Sequence, residues 1–270
     1  MAVVYFSCIF HVYDAHAEES VVITMGYRTN ERAPLIGEAP DSEGLYYHLY
    51  SEAAKRIGCT IQVVRKPKKE ILNDIRDGVV DFYPGFNFSK ERSEFVYYIE
   101  NGLPGGDVGL SLETLPEITD MNQLIDRDLT LLRSYGNARI VEGVKEIRLN
   151  ELDLDTVSKL LINKRADFYI YNKSTLEYYL MKNHVKGFKL HPKCCGGIMP
   201  LYLAFSKKSP KFRSLKNENY KPEVPLSVEN FPIKMDPQCV AAKFASALSE
   251  MKESGRTEKL YEQYYGYKMN

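Results

Sequence analysis

The chain has 270 residues, which is enough for one large domain or two modest ones. Hydrophobic residues make up 44% and charged residues 27%, so the composition is that of a packed globular protein and excludes a disordered chain. Lys plus Arg and Asp plus Glu each total 36, and the chain therefore lacks the basic excess that is typical of nucleic-acid binding.

The N-terminus predicts a secretory signal peptide over residues 1–17. An apolar run from Ala2 to Tyr13 precedes Ala15 and Ala17, which occupy the small-residue positions of a cleavage site. The run is too short to cross a bilayer as a helix, and it lacks a basic segment before it. We expect cleavage after Ala17 and export to the periplasm. The alternative is a disordered or buried N-terminus of a cytosolic protein.

The cysteines would then meet an oxidising compartment. Adjacent Cys194 and Cys195 are not expected to pair with each other, because disulfide geometry disfavours it. We expect Cys239 to pair with one of them, although the sequence alone does not choose among the pairings of these cysteines and Cys59. His191 precedes the adjacent pair in "HPKCCGG", but no second cluster at zinc spacing accompanies it, so neither a metal nor a cofactor is expected.

Strands and helices alternate in the first part of the chain. A β-branched strand over 21–25 leads into a long polar loop, and a helix over 44–58 follows, with apolar residues at helical spacing. A strand over 59–65, a helix over 66–78 and a strand over 79–83 complete the pattern. This order predicts a parallel sheet with right-handed crossovers. The lysines of "KPKK" at the start of the second helix are interpreted as solvated.

The segment 81–95, "DFYPGFNFSKERSEF", is the best candidate for a ligand site. It is predicted as a buried strand that ends in a glycine-containing turn, followed by a short helical start. Open α/β sheets bind ligands at such strand ends. The amide of Asn87, the hydroxyl of Ser89 and the guanidinium of Arg92 are suited to a small anionic or zwitterionic molecule.

The chain starts a second pattern of strands and helices near residue 107 and returns to the first near residue 199. The predicted segments are strands at 107–113 and 129–134, a return strand within 199–210, a glycine-containing turn opening a helix at 135–144, a helix and strand within 154–172, a helix at 173–183, and closing helices within 240–266. Between them, residues 215–238 are rich in Pro, Asn and Lys and are interpreted as an inserted loop.

From Val21 to Gly266 this arrangement, with "GYR" after the first strand and "VDFYPGFNFSKER" after the third, resembles the extracellular solute-binding proteins of family 3. These are type II periplasmic binding proteins that serve polar amino-acid ABC transporters. The resemblance implies an α/β fold of two lobes, with mixed sheets flanked by helices and two crossover hinge strands. Lobe 1 would comprise 18–106 and 204–270, including the inserted loop, and lobe 2 would comprise 107–203.

The resemblance also implies binding residues on lobe 1. Arg92 matches the arginine that clamps the ligand α-carboxylate, and Asn87 lies in the same ligand turn. Gly85 stands where family members commonly carry a hydroxyl residue, so that hydrogen bond would be made differently or not at all. Tyr27 and Phe86 are either pocket walls or core aromatics.

On lobe 2, the resemblance implies that Arg133, Ser134 and Tyr135 face the ligand carboxylate at a helix N-terminus. Arg133 is either a second guanidinium for the ligand or the partner of a neighbouring carboxylate. Asn172 occupies a position that is often acidic and receives the ligand α-ammonium group. Because its side chain carries no charge, Asn172 argues against a plain amino-acid ligand.

The function that follows is capture of a small polar, carboxylate-bearing ligand by a monomer that hands it to an ABC permease, without catalysis. One alternative is a periplasmic enzyme of the same fold, similar to a dehydratase, which would need an acid/base pair in the cleft. Another is a stand-alone ligand sensor.

Overall fold

A computed structural model describes residues 20–134, 142–149, 152–197 and 199–269. The predicted signal peptide at 1–17, and Tyr135 with the turn that follows it, lie outside these residues. Among the described helices, none has the length and apolar character needed to cross a membrane.

The first five elements alternate as the sequence predicts. They are β1 (Val21–Arg28), α1 (Leu45–Arg56), β2 (Cys59–Lys66), α2 (Lys68–Asp77) and β3 (Phe82–Phe86). β1 lies parallel to both β2 and β3. β3 begins later than predicted because Gly78 is left-handed at the end of α2, and the N–H groups of Val79 and Val80 bond back to the Asp74 carbonyl.

Two further strands make this first sheet mixed. A 3-10 turn at Arg92–Glu94 leads into β4 (Val96–Gly105), for which the sequence had predicted no element, and β10 (Met199–Ser206) returns from the far end of the chain. β10 lies antiparallel between β3 and β4, which gives the order β2-β1-β3-β10-β4. We call this sheet and the helices on it the first lobe.

The second sheet has the order β7-β6-β8-β5-β9 and forms the second lobe with its helices. Its elements are β5 (Asp107–Leu112), α3 (Asn122–Asp126), β6 (Thr130–Ser134), β7 (Lys145–Leu149), α4 (Leu154–Ile162), β8 (Phe168–Asn172), α5 (Lys173–Lys182) and β9 (Phe188–His191). The chain passes between the sheets at Gly106, whose φ of 103° suits glycine, and again between β9 and β10. The two-lobe α/β fold is thereby confirmed, whereas the exact lobe boundaries remain a prediction.

Helices cover both faces of the first sheet. On one face, α1 packs with α6 (Val240–Glu253) and α7 (Arg256–Tyr265) around a core that contains Phe82 and Phe205. On the other face, α2 packs against Tyr83, the strand neighbour of Phe82. The stretch interpreted as an inserted loop contains part of a small hairpin formed by β11 (Ser214–Lys216) and β12 (Ile233–Met235).

The cysteine prediction was wrong. Cys194 and Cys195 are joined to each other by a disulfide, and Cys59 and Cys239 are buried free thiols. Cys239 packs in the first-lobe core with Cys59, whereas Cys194 and Cys195 pack in the second lobe beside Phe168. Because the predicted partners belong to different cores, Cys239 does not meet either member of the pair.

His191, the other residue of the "HPKCCGG" motif, is fully buried in the second lobe. Its Nδ1 accepts a hydrogen bond from the Ile118 N–H at 2.9 Å, and its Nε2 lies 2.8 Å from the Ser111 hydroxyl. Burial lowers the pKa of His191 to about 4. The ring is therefore neutral near pH 7, and both of its nitrogens are engaged in holding the fold.

Candidate ligand-binding site

Hydrogen bonds from buried residues of the core hold the turn at the carboxyl end of β3 in place. The Tyr50 hydroxyl donates to the Pro84 carbonyl, and the Asn101 amide donates to both the Tyr50 oxygen at 2.9 Å and the Pro84 carbonyl at 3.3 Å. Tyr46 packs directly against Gly85, where an added Cβ would lie 2.7 Å from the Tyr46 Cζ atom. Gly85 is thus required by close packing, which explains why no hydroxyl side chain stands there.

Arg92 is held in place by the same turn. Its Nη2 donates to the Asn87 carbonyl at 3.1 Å, its Nε donates to the Tyr98 hydroxyl at 3.4 Å, and its guanidinium lies 4.5 Å from the Phe86 ring centroid. A guanidinium has five N–H donors. Within the described residues, both Nη1 hydrogens and one Nη2 hydrogen are left for another acceptor. This arrangement is a preorganised fork for a carboxylate.

Phe86 is buried beside Arg92. Its ring stacks on Tyr83 with centroids 4.3 Å apart, and the Lys68 ammonium lies 5.6 Å from the Phe86 centroid. Lys68 is the first residue of α2 and was interpreted from the sequence as solvated. Instead, burial together with the positive charges of Arg28, Arg32 and Arg92 lowers the pKa of Lys68 to about 8.

Arg32, in the long loop after β1, reaches across to the second lobe. Its Nε donates to the Thr175 hydroxyl at 3.3 Å, and its guanidinium lies 5.1 Å from the Tyr171 ring centroid. Sequence reasoning had not assigned Arg32 to the site. The length of the loop was the available signal, since long loops in a compact domain are usually functional.

Asp107 supplies a carboxylate from the first residue of β5. The Asn87 amide donates to its Oδ2 at 3.5 Å, so the ligand turn of the first lobe meets the second lobe here. Burial and the neighbouring Tyr171 raise the pKa of Tyr169, and the negative charge of Asp107 adds to this effect. Asp107 lies opposite Asn172 in the β5–β8 register. The sequence missed Asp107 because strand pairing, and not spacing along the chain, brings it to this position.

A cavity of about 560 Å³ opens beside these residues between the lobes. Arg28 and Arg32 line it from the first lobe, and Tyr171, Thr175 and Tyr178 line it from the second. Its walls combine aromatic rings with polar groups, as is typical of small-molecule sites.

The match to a family model decides what kind of protein carries this cleft. Residues 23–267 match the model of bacterial extracellular solute-binding proteins, family 3. The chain belongs to this family. No curated protein is significantly similar in sequence to this solute-binding protein.

Solved structures show the same fold at low sequence identity. A putative binding component of an ABC transporter from Wolinella succinogenes, complexed with lysine, has a TM-score of 0.67 and 17% identity and covers 90% of this chain and 95% of its own. The GluR0 ligand-binding core from Nostoc punctiforme in complex with L-glutamate has a TM-score of 0.66 and 13% identity, covering 92% and 100%. The ancestral amino-acid-binding protein AncCDT-1, a precursor of cyclohexadienyl dehydratase, has a TM-score of 0.65 and 16% identity, covering 90% and 95%.

Two second-lobe residues predicted to contact ligand have structural partners in this solute-binding protein. Asn172 caps α5: its Oδ1 accepts from the Thr175 N–H at 3.1 Å and from the Thr175 hydroxyl at 3.0 Å, and its Nδ2 donates to the Gly106 carbonyl at 3.4 Å. Arg133 is buried and forms an ion pair with Glu146 at 2.6 Å. The second of the two roles considered for Arg133 is therefore the one seen.

The remaining predicted residues divide between core and cleft. Tyr27 is fully buried in the first-lobe core, with the Arg65 guanidinium 5.2 Å from its ring centroid. Phe86 is also buried, in the first-lobe cluster that contains Tyr83, whereas Asn87 and Arg92 lie at the turn that meets the second lobe. The side chain of Ser134, like Tyr135, lies outside the described part of the structure.

Proposed function

We propose that this solute-binding protein captures a small, amino-acid-like ligand by its carboxylate, in the cleft between the lobes. The observation that carries this proposal is the Arg92 guanidinium, which is held by the turn and retains N–H donors that no described residue occupies. A ligand amino group, where present, would be received by Asp107 on the opposite lobe.

Capture requires no chemistry on the ligand. Ligand contacts made to both lobes at once favour the closed arrangement, because a ligand shifts a conformational equilibrium toward the state that it binds more tightly. The closed protein would then be recognised by a membrane permease of an ABC transporter, with the monomer acting in the periplasm. Family membership and the lysine-bound ABC-transporter component among the solved structures support this assignment.

A thermal-shift screen of the L-amino acids and small dicarboxylates tests the proposal. A ligand present at 100 times its Kd stabilises the native state by about 2.7 kcal/mol. At roughly 2–4 °C per kcal/mol for a chain of this size class, the melting temperature should rise by about 5–10 °C. Loss of that rise in Arg92→Ala, with retention in the surface control Arg56→Ala, is the expected result. An equal rise in both variants would contradict the assigned site.

An enzyme remains a second candidate because Lys68 lies at the cleft with its pKa lowered to about 8, a value suited to acid/base catalysis near neutral pH. One of the solved structures is also a precursor of a dehydratase. Incubation of the protein with cyclic carboxylic acids, followed by chromatography of the products, separates the candidates. Turnover that disappears in Lys68→Met would establish an enzyme, whereas unchanged recovery of a bound acid supports capture.

A further inference from the structure

Four basic residues of the first lobe lie close together beside the cleft. Arg28 leaves the end of β1, Arg32 lies in the following loop, Lys68 opens α2 and Arg92 follows β3. The positive charges of Arg28, Arg32 and Arg92 all contribute to the lowered pKa of Lys68. The topology thus brings cations from different elements of the first lobe to one place.

These cations have no carboxylate partner among the residues that the structure describes. In the described ranges, none of them forms an ion pair, whereas Arg133, Arg148 and Arg256 each do. Gathering like charges in a partly buried site costs free energy when no counter-charge is present. A bound anion would supply that counter-charge.

The cations are arranged around aromatic rings. Lys68 and Arg92 both lie against the Phe86 ring, at 5.6 and 4.5 Å from its centroid. Arg32 lies against Tyr171 on the opposite lobe at 5.1 Å. At least two separate cationic groups therefore lie beside the cleft.

A single ligand carboxylate can pair with only part of this positive charge. The Arg92 fork satisfies a single carboxylate on its own, because bidentate pairing takes up both oxygens. Lys68, Arg28 and Arg32 then remain without an ion-pair partner among the described residues. A second anionic group on the same ligand would remove that imbalance, whereas a cationic side chain such as that of lysine or arginine would add to it.

We propose that the ligand is a dianion: one carboxylate binds Arg92, and a second anionic group binds Lys68 together with Arg28 or Arg32. This inference rests on the proposed capture function and narrows its ligand class to acidic amino acids and small dicarboxylates. Asp107 accommodates an amino group where the ligand has one. Lys68 is accordingly the residue that determines specificity for the second acidic group.

Isosteric ligand pairs provide the test. Calorimetry on the full chain compares L-glutamate with L-glutamine and L-aspartate with L-asparagine, with glutarate and L-arginine as further ligands. In each pair one carboxylate becomes a neutral amide of nearly equal size, so the ratio of the two Kd values isolates the second charge. We expect the acid to bind at least tenfold more tightly than its amide, and we expect L-arginine to bind more weakly than either acid.

A substitution of Lys68 tests whether this residue is responsible for the preference for the acid over the amide. Lys68→Met should lower the acid-to-amide ratio toward unity while binding of the amide is retained, and Lys216→Met, in the exposed hairpin, should leave the ratio unchanged. The wild-type ratio decides the question even if Lys68→Met fails to fold. Tighter binding of an amide or of L-arginine would overturn the dianion inference and leave the capture function standing. Failure of every ligand to bind would contradict both.

Discussion

Removal of the Arg92 guanidinium is the most informative single substitution. Arg92 donates one N–H to Asn87 and one to Tyr98, and among the described residues both Nη1 hydrogens and one Nη2 hydrogen have no other acceptor. These are enough for a two-bond fork with a carboxylate. Hydrogen bonds to charged groups contribute about 1.5–3 kcal/mol each, so Arg92→Ala should cost roughly 3–6 kcal/mol of binding free energy.

That loss corresponds to a Kd increase of about 10²–10⁴-fold, at about 1.4 kcal/mol per factor of ten. Arg92→Lys keeps a positive charge but loses the planar fork, and it should be intermediate between the wild type and Arg92→Ala. Isothermal titration calorimetry measures each Kd, and denaturant unfolding verifies that each variant is folded. A Kd for folded Arg92→Ala within threefold of the wild-type value would refute the assignment of Arg92 as the carboxylate anchor.

Three further changes probe the surroundings of this anchor. Asn172→Ala removes the cap of α5 and should lower the free energy of unfolding by about 1 kcal/mol. Asn172→Asp should lose less, because aspartate is also a good N-cap residue. Equal losses of the two variants in denaturant unfolding would argue against the capping role. Gly85→Ala drives a Cβ into buried Tyr46 and should destabilise the fold by about 1–3 kcal/mol, and a melting temperature equal to that of the wild type would contradict the packing argument. Binding of an acidic ligand should weaken as the pH rises above about 8, because the ligand favours the charged Lys68 ammonium and the free protein releases that proton. The loss should reach up to about tenfold per pH unit. The Lys68 ammonium faces the guanidinium groups of Arg28, Arg32 and Arg92, and burial raises the pKa of Tyr83. A flat pH profile between 7 and 9.5 would contradict the contribution of Lys68.

The regular elements were predictable because local patterns determine them. Apolar residues at helical spacing and the Gly78 terminator give α1 and α2, and the β-branched runs give β1 and β2. β3 was shifted because residues after Gly78 complete the end of the helix instead of starting the strand. Local signals do not report on such hydrogen bonds.

Only part of the proposed site could be predicted from neighbouring residues in the chain. Asn87, Phe86 and Arg92 follow one another closely in the chain, so one segment could indicate all of them. Asp107 and Arg32 join them through strand pairing and through a loop that reaches the other lobe. Tertiary structure alone creates these proximities.

Two residues that were predicted to contact the ligand also have structural roles. Asn172 at a strand end has the chemistry of a ligand contact, yet the same amide suits the N-cap that the next helix needs. Arg133 could likewise contact a ligand, yet it forms an ion pair with Glu146 on the adjacent strand. A polar side chain at a strand end is therefore ambiguous until its neighbours are known.

A crystal structure of the protein with L-glutamate, or with the tightest ligand of the calorimetric series, tests the central claim most directly. Our account predicts one molecule between the lobes, with one carboxylate on the Arg92 guanidinium and the second anionic group within hydrogen-bonding distance of Lys68. A ligand bound outside this cleft, such as in the cavity lined by Lys173, Glu177 and Tyr261, would contradict it.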